Sequence, residues 1–359
     1  MTKRRGTSGR VRCRAVSAAV RTRIAVLGAG NMGTALAQAL AGNGHQVAVW
    51  DFFPEVVEDI RKRRKNSRFL PSLRLHPGIC AVESALECVA GASLVIVSVP
   101  SSFVRSTLVQ ALPALGTGAV LLNVAKGFSP RTRESLLSLF GRLAPGHACA
   151  QLAGPGIANE IARGLSTAVV IASLDLRTAK RVAAWFSGQL FLPSTTTDVM
   201  GATLGGILKN VYAVLLGCLS GLSGPSRNLD ASFLSACMHE MVAIAIAHGG
   251  KAQTLYGLAG LGDLIATGFS PDSHNRQLGQ RLAAGMSVAD SERDLGWLPE
   301  GARAATAVCA LAKDGGIKAP LAEWVRRVLA GAPPSLDGLL RVLRVATQGG
   351  RGTGSDSVE

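Results

Sequence analysis

The segment 23–51, RIAVLGAGNMGTALAQALAGNGHQVAVWD, constrains the fold more than any other part of the chain. Ile24–Leu27 is a short unbroken apolar run, the pattern of a strand buried on both faces of a parallel sheet. Gly33–Leu40 is alanine-rich and reads as a helix. Gly42-Asn43-Gly44 closes it with residues that tolerate left-handed backbone. Gln46–Trp50 is a second strand. Strand, helix and parallel strand must cross over right-handed, so this unit seeds a sheet covered by helices. Between strand and helix stands G-x-G-x-x-G. Gly28 makes the turn, Gly30 lets backbone approach a pyrophosphate, and Gly33 lets helix pack on strand. The start of the helix favours the phosphate charge. This context predicts a dinucleotide site.

Asp51 lies eighteen residues beyond Gly33. It suits the adenosine ribose hydroxyls, would repel a 2′-phosphate and so favours NAD over NADP. It suits equally a turn or helix-capping acid before Pro54. The basic run Arg61–Lys65 reads as a solvated helix face, with attraction of a 2′-phosphate as the alternative.

Strand patterns recur at Leu94–Val99, Ala119–Val124, Ala148–Leu152 and Ala168–Ala172, separated by helical patterns near 55–64, 103–112, 131–142 and 176–188. That alternation predicts a doubly wound sheet. Ligands bind outside the carboxyl ends of such strands. Val99-Pro100-Ser101, Lys126-Gly127 and Gly154-Pro155-Gly156 all fall there. From about residue 199 the strand signal stops, and helices are expected at 201–221, 229–248, 275–285, 301–314, 320–330 and 336–344. The fold class is therefore α/β: a Rossmann-type doubly wound domain over 23–198, then an all-α domain over 199–345. Basic residues 1–22 and residues 346–359 read as disordered tails.

The apolar window 204–222 is long enough to span a bilayer. It carries Lys209 and Asn210 side by side, which is costly in lipid, so a buried core helix is expected. Burial lowers a lysine's pKa toward the proton-transfer range. The alternative for Lys209 is a snorkelling side chain at the helix edge. An acid should hold a buried lysine, and Asp263 is the candidate. It stands in Gly257–Arg276, GLAGLGDLIATGFSPDSHNR, which reads as a glycine-dense loop bringing backbone close to a ligand.

The net charge of +15 raises the question of nucleic acid. Much of it lies in the first 23 residues, which contain no acid. That concentration argues against a nucleic-acid partner. The arginine-rich start resembles an organelle transit peptide, and reads also as a plain tail or an upstream start codon. Seven scattered cysteines without a C-x-x-C pair suggest free thiols and a cytoplasmic location. His239-Glu240 begins like a zinc motif, but residue 243 is alanine, so no metal is expected. A homodimer is compatible with the sequence.

Ten segments in order resemble the bacterial NAD(P)-dependent glycerol-3-phosphate dehydrogenases. They are GAGNMGTALA, NGHQVAVW, NSRFLP, VPS, AKGF, AGPGIANEIARG, GGILKN, GLAGLGDLIATG, SHNR and PEG, spread over about residues 23–344. The resemblance implies reversible reduction of dihydroxyacetone phosphate to sn-glycerol 3-phosphate, for glycerophospholipid synthesis. It implies Lys209 as proton donor and base, and Lys126 against both cofactor and substrate. Gly154, Gly156, Asp263, Ser273 and Asn275 fall at substrate positions. Asn31, Met32, Ala158 and Glu300 fall at cofactor positions.

Three departures stand out. The family's S-G-P-S/T-F is Ala153-Gly154-Pro155-Gly156-Ile157. Phe52, at a cofactor position, replaces a basic residue and strengthens the lean toward NAD. His274 replaces an arginine that touches phosphate and cofactor, and offers fewer donors. These departures leave open a dehydrogenase for another small carbonyl compound, or a catalytically weak NAD-binding regulatory protein.

Overall fold

A computed structural model describes residues 22–129 and 134–348. The strands are β1 (Arg23–Leu27), β2 (Gln46–Trp50), β3 (Lys65–Asn66), β4 (Leu70–Arg74), β5 (Ile79–Ala81), β6 (Leu94–Val97), β7 (Val120–Asn123), β8 (Ala148–Ala153), β9 (Thr167–Ala172) and β10 (Phe191–Thr196). Among them run α1 (Asn31–Gly42), α2 (Pro54–Arg63), α3 (Ala85–Val89), α4 (Val104–Ala111), α5 (Leu136–Leu143), α6 (Ala158–Ala162) and α7 (Leu176–Phe186).

Eight strands form one sheet in the order β10-β9-β8-β7-β6-β1-β2-β5. Chain order reverses between β1 and β6, and that reversal opens a crevice at the carboxyl ends. β1 pairs in parallel with both β2 and β6. The sheet is not wholly parallel: β9 pairs antiparallel with β8, and β10 then runs parallel to β9. The expected series of right-handed crossovers therefore ends at β8. The chain between β8 and β9, residues 154–166, carries only the five-residue α6. β5, β10 and the β3–β4 hairpin were not anticipated. Each is short, or mixes polar residues and proline into its run. The helix expected over 131–142 begins at Leu136, while residues 130–133 and the basic segment 1–21 lie outside the described residues.

No strand follows Thr196 among the described residues. The second part comprises α8 (Val199–Ser223), α9 (Arg227–Ala247), α10 (Ala252–Tyr256), α11 (Asp263–Phe269), α12 (His274–Ala283), α13 (Val288–Leu295), α14 (Glu300–Asp314), α15 (Pro320–Leu329) and α16 (Leu336–Gln348). Residues 346–348, expected in a tail, continue α16; 349–359 lie outside the described residues. α8 and α9 are apolar and long enough to cross a membrane, yet the apolar window of α8 is wholly buried inside the protein.

α8 is the axis of this part, and glycines let its neighbours approach. A Cβ at Gly205 would lie 2.3 Å from the Ala259 carbonyl oxygen, and one at Gly217 2.1 Å from that of Arg276. Both contacts are far inside van der Waals range, so only glycine fits. The segment 257–276 is correspondingly not a loop. A π turn (Leu258–Gly262) leads directly into α11. A Cβ at Gly260 would strike Leu255 backbone at 2.1 Å, and one at Gly268 would strike Leu216 at 2.5 Å. These glycines serve packing between helices rather than approach to a ligand.

Away from the cleft, Glu240 of α9 is buried. Its carboxylate accepts from the Leu321 and Ala322 N–H groups at the start of α15 and from the Tyr212 hydroxyl. Burial pushes its pKa up to about 7 against those three bonds.

Candidate active site

The glycine turn sits at the carboxyl end of β1. Gly28 has φ +102°, and a Cβ there would lie 2.7 Å from the Ser98 carbonyl oxygen. A Cβ at Gly33 would overlap the Gly28 carbonyl at 1.9 Å. At Gly30 a Cβ meets no protein atom, so packing does not demand glycine there. Asp51, Asn66 and Thr34, whose Oγ1 donates to the Ala29 carbonyl at 2.8 Å, hold the turn from behind. Asp51 Oδ2 accepts the Ala29 N–H at 2.6 Å and Oδ1 accepts the Phe53 N–H at 3.0 Å. Both carboxylate oxygens of Asp51 thus bind backbone. Burial raises its pKa, while those bonds oppose the rise. Asn66, fully buried, donates to the Ala29 carbonyl at 2.7 Å and to Thr34 Oγ1 at 2.8 Å.

Around the turn, Asn31 and Met32 open α1, and the Met32 methyl would lie 3.4 Å from a Cβ at Gly156. Gly154 has φ +94°, which accounts for glycine at the head of that loop. Ala158 begins α6 and packs toward the core beneath α1. Phe52 is 76% exposed and meets Phe53 edge-to-face, while the Arg68 guanidinium lies 3.7 Å from the Phe53 ring centre.

The second group of residues converges on Asp263. Lys209 Nζ donates to its Oδ1 at 2.8 Å, and Lys126 Nζ to its Oδ2 at 2.6 Å. Lys209 also donates to Thr267 Oγ1 at 2.6 Å. Lys126 comes from beyond β7, Lys209 from α8, Asp263 and Thr267 from α11. Burial pushes the Lys209 ammonium down to about 7; Asp263 pulls it up and Lys126 pushes it further down. Burial alone would raise the Asp263 carboxyl, but Lys126 and Lys209 outweigh it and hold it low. Two ammonium groups on one carboxylate leave the cluster one positive charge in excess when all three are ionised.

The start of α12 lies beside this cluster in the chain. Ser273 caps it, accepting the Arg276 N–H. Asn275 Oδ1 accepts the Gly301 N–H at 2.8 Å, and its Nδ2 donates to Asn210 Oδ1 at 3.1 Å. Asn275 therefore ties α12 to α8 and α14. His274 packs edge-to-face on Trp297, ring centres 4.5 Å apart. Burial and then Arg281 lower its pKa, with Asp272 opposing, which favours the neutral imidazole. Arg276 turns inward, donating to the Gly268 carbonyl and Ser220 Oγ. Glu300 opens α14, and its Oε2 accepts from Ser101 Oγ at 3.3 Å. Its pKa is raised by burial.

Comparison with known proteins accords with this arrangement. The N-terminal description of NAD-dependent glycerol-3-phosphate dehydrogenase matches residues 23–179, and the C-terminal description matches 198–336. The chain belongs to the NAD-dependent glycerol-3-phosphate dehydrogenase family. It is 39% identical over 310 residues to the Glycerol-3-phosphate dehydrogenase [NAD(P)+] of Anaeromyxobacter sp. (strain K), covering 86% of this chain and 93% of that one. The enzyme of that name from Pseudomonas fluorescens (strain SBW25) is 37% identical, with 85% and 89% covered. The crystal structure of the glycerol-3-phosphate dehydrogenase of Coxiella burnetii superposes with a TM-score of 0.83 at 30% identity, covering 90% of this chain and 98% of that one.

Within this dehydrogenase scaffold, several residues escaped the reading of the sequence. Thr267 was one, although its place four residues after Asp263 puts both on one helix face. Asn66, Asn210 and Trp297 were others. Asn66 and Asn210 lie inside matching motifs but carry no signal of what they touch. Among the described residues, no cluster of three His, Cys, Asp or Glu side chains could hold a metal.

Proposed function

We propose that this protein catalyses the reversible reduction of dihydroxyacetone phosphate to sn-glycerol 3-phosphate, with a product destined for glycerophospholipid synthesis. The observation that carries the reading is the buried cluster of Lys126, Asp263, Lys209 and Thr267 at the carboxyl end of β7. A bound nicotinamide dinucleotide supplies the hydride. The glycine turn, with open space over Gly30 and α1 starting beyond it, fits the pyrophosphate of such a cofactor. Asn31, Met32, Ala158 and Glu300 are assigned to hold it. Asp51 at the end of β2 and the absence of a basic residue at Phe52 favour NAD. A cytoplasmic location fits the free cysteine thiols described.

As the substrate is reduced, negative charge builds on its carbonyl oxygen. Lys209 stabilises that charge and delivers the proton; its neutral amine takes a proton back in oxidation. Asp263 and Thr267 fix the ammonium in direction, and burial tunes it near neutral pH, where donor and acceptor forms are both populated. Lys126 and the start of α12, with Ser273 and Asn275, face the substrate.

The decisive experiment gives purified protein dihydroxyacetone phosphate with NADH or NADPH and follows absorbance. Oxidation of NADH is expected, and loss of neither cofactor refutes the reading. Lys209→Met should abolish turnover while NADH still quenches or shifts fluorescence on binding; retained turnover removes Lys209 from its role.

A further inference from the structure

A substrate phosphate needs cationic partners, and the described cations around this site are nearly all engaged inside the protein. Lys126 and Lys209 share Asp263. Arg276 is turned into the helix packing. Arg281, two turns further along α12, is tied to Asp294 and the Gln277 carbonyl. His274, where relatives of this chain are expected to carry arginine, is held toward its neutral form.

Arg163 differs from these. It closes α6, the helix that follows the loop 153–157, where one of the three departures from the family pattern lies. Its side chain is 61% exposed and crosses from the sheet to the helical part, where Nη2 lies 3.5 Å from Asp272 Oδ2. Asp272 immediately precedes Ser273, the cap of α12. Arg163 Nε donates to the Asn159 carbonyl at 3.2 Å, which steers the guanidinium outward from α6. The long, exposed contact with Asp272 contributes little, so exchanging it is easy. A phosphate at the start of α12 offers the guanidinium two oxygens in a matching fork, and adds the N–H groups of that helix start.

We propose that Arg163 is a substrate-binding residue that leaves Asp272 for the substrate phosphate, supplying from α6 the guanidinium that position 274 lacks. The proposal rests on the dehydrogenase reaction above. It places the phosphate contact on the sheet side of the cleft, so the substrate itself joins the two parts.

The test compares wild type with Arg163→Ala, Asp272→Asn, His274→Arg and the double variant Arg163→Ala/His274→Arg. KM and kcat for dihydroxyacetone phosphate are measured, with competitive inhibition by inorganic phosphate. Losing one charged hydrogen-bonding partner should raise KM and the phosphate inhibition constant by about tenfold or more, with kcat nearly unchanged. Asp272→Asn, which frees the guanidinium, should bind phosphate at least as tightly as wild type. Arginine at 274 should restore KM in the double variant. A merely structural role would lower the melting temperature and would not be rescued from 274. Arg163→Ala with KM and phosphate inhibition within twofold of wild type overturns the proposal. Stabilisation by inorganic phosphate in a thermal shift measurement reads the Arg163 contact without turnover. Loss of that stabilisation in Arg163→Ala supports the proposal, and its persistence overturns it. An inactive wild type would defeat the reaction and not this contact.

Discussion

Asp263→Asn isolates what the shared carboxylate does for the reaction. In the native cluster Lys209 Nζ is 2.8 Å from Asp263 Oδ1, and Lys126 Nζ is 2.6 Å from Oδ2. With its pKa at about 7, Lys209 is about half protonated at pH 7. An opposite charge this close moves a pKa by roughly 1–3 units, so its removal should take Lys209 to about 5. At pH 7 the protonated fraction then falls from about one half to about 1 in 100, and kcat/KM for reduction falls about fiftyfold from this cause alone. The lost proton also limits the damage to the fold. Removing one partner of a buried pair costs about 3–5 kcal/mol when the other must stay charged, but Lys209 can discharge at neutral pH. The destabilisation should therefore grow as pH falls. The assay is reduction of dihydroxyacetone phosphate followed through NADH absorbance from pH 5 to 9, beside thermal melts at the same pH values. The acid-side recovery of activity is the signature, with the alkaline limb displaced by about 2 pH units toward acid. A profile scaled down in place, or displaced toward alkali, refutes the account of Asp263 as the group that keeps Lys209 protonated.

Glu240→Gln tests a site remote from the cleft. A carboxyl at 4.5 when unfolded and about 7 when folded keeps a proton in the native state that the unfolded chain has released, so stability falls as pH rises through that window. The gap corresponds to about 3 kcal/mol as an upper scale. The variant should gain on wild type between pH 5 and 8 in denaturant melts, and an equal pH slope in the two proteins sinks the idea. Asn66→Ala removes the two bonds behind the glycine turn; it should lower stability by about 2 kcal/mol and weaken NADH binding in fluorescence titration. Unchanged NADH affinity would show that the turn holds its shape without Asn66.

The sheet and the glycine turn were legible because periodicity and short-range context specify them. Ile24–Leu27 has to be buried on both faces, Gly28 is required by its positive φ and the Ser98 carbonyl, and Gly33 by the Gly28 carbonyl within the turn. Lys209 with Asp263 was legible for another reason: a charge in an apolar helix demands a partner. The segment 257–276 was misread because glycine has two uses, close approach to a ligand and close approach of helices. Sequence alone does not distinguish them. Gly260 and Gly268 serve the second use, against Leu255 and Leu216. The reversal at β9 was hidden because its residues, TAVVIA, suit either direction of pairing. Arg276 does not stand in for the arginine missing at 274. Two residues further along the helix, its guanidinium is directed to the Gly268 carbonyl and Ser220 Oγ. Arg163 could not be linked to this site from sequence, since its partner Asp272 is more than a hundred residues away.

The carboxylate shared by Lys126 and Lys209 also bears on how the molecule is put together. One lysine arrives on the sheet, the other on α8, and the acid on α11. Until the helical part docks, Lys126 lacks the counter-charge of Asp263. Assembly and competence are thus a single event. A molecule whose halves have docked out of register leaves Lys126 without its acid, while Lys209 and Asp263 stay paired on the helices.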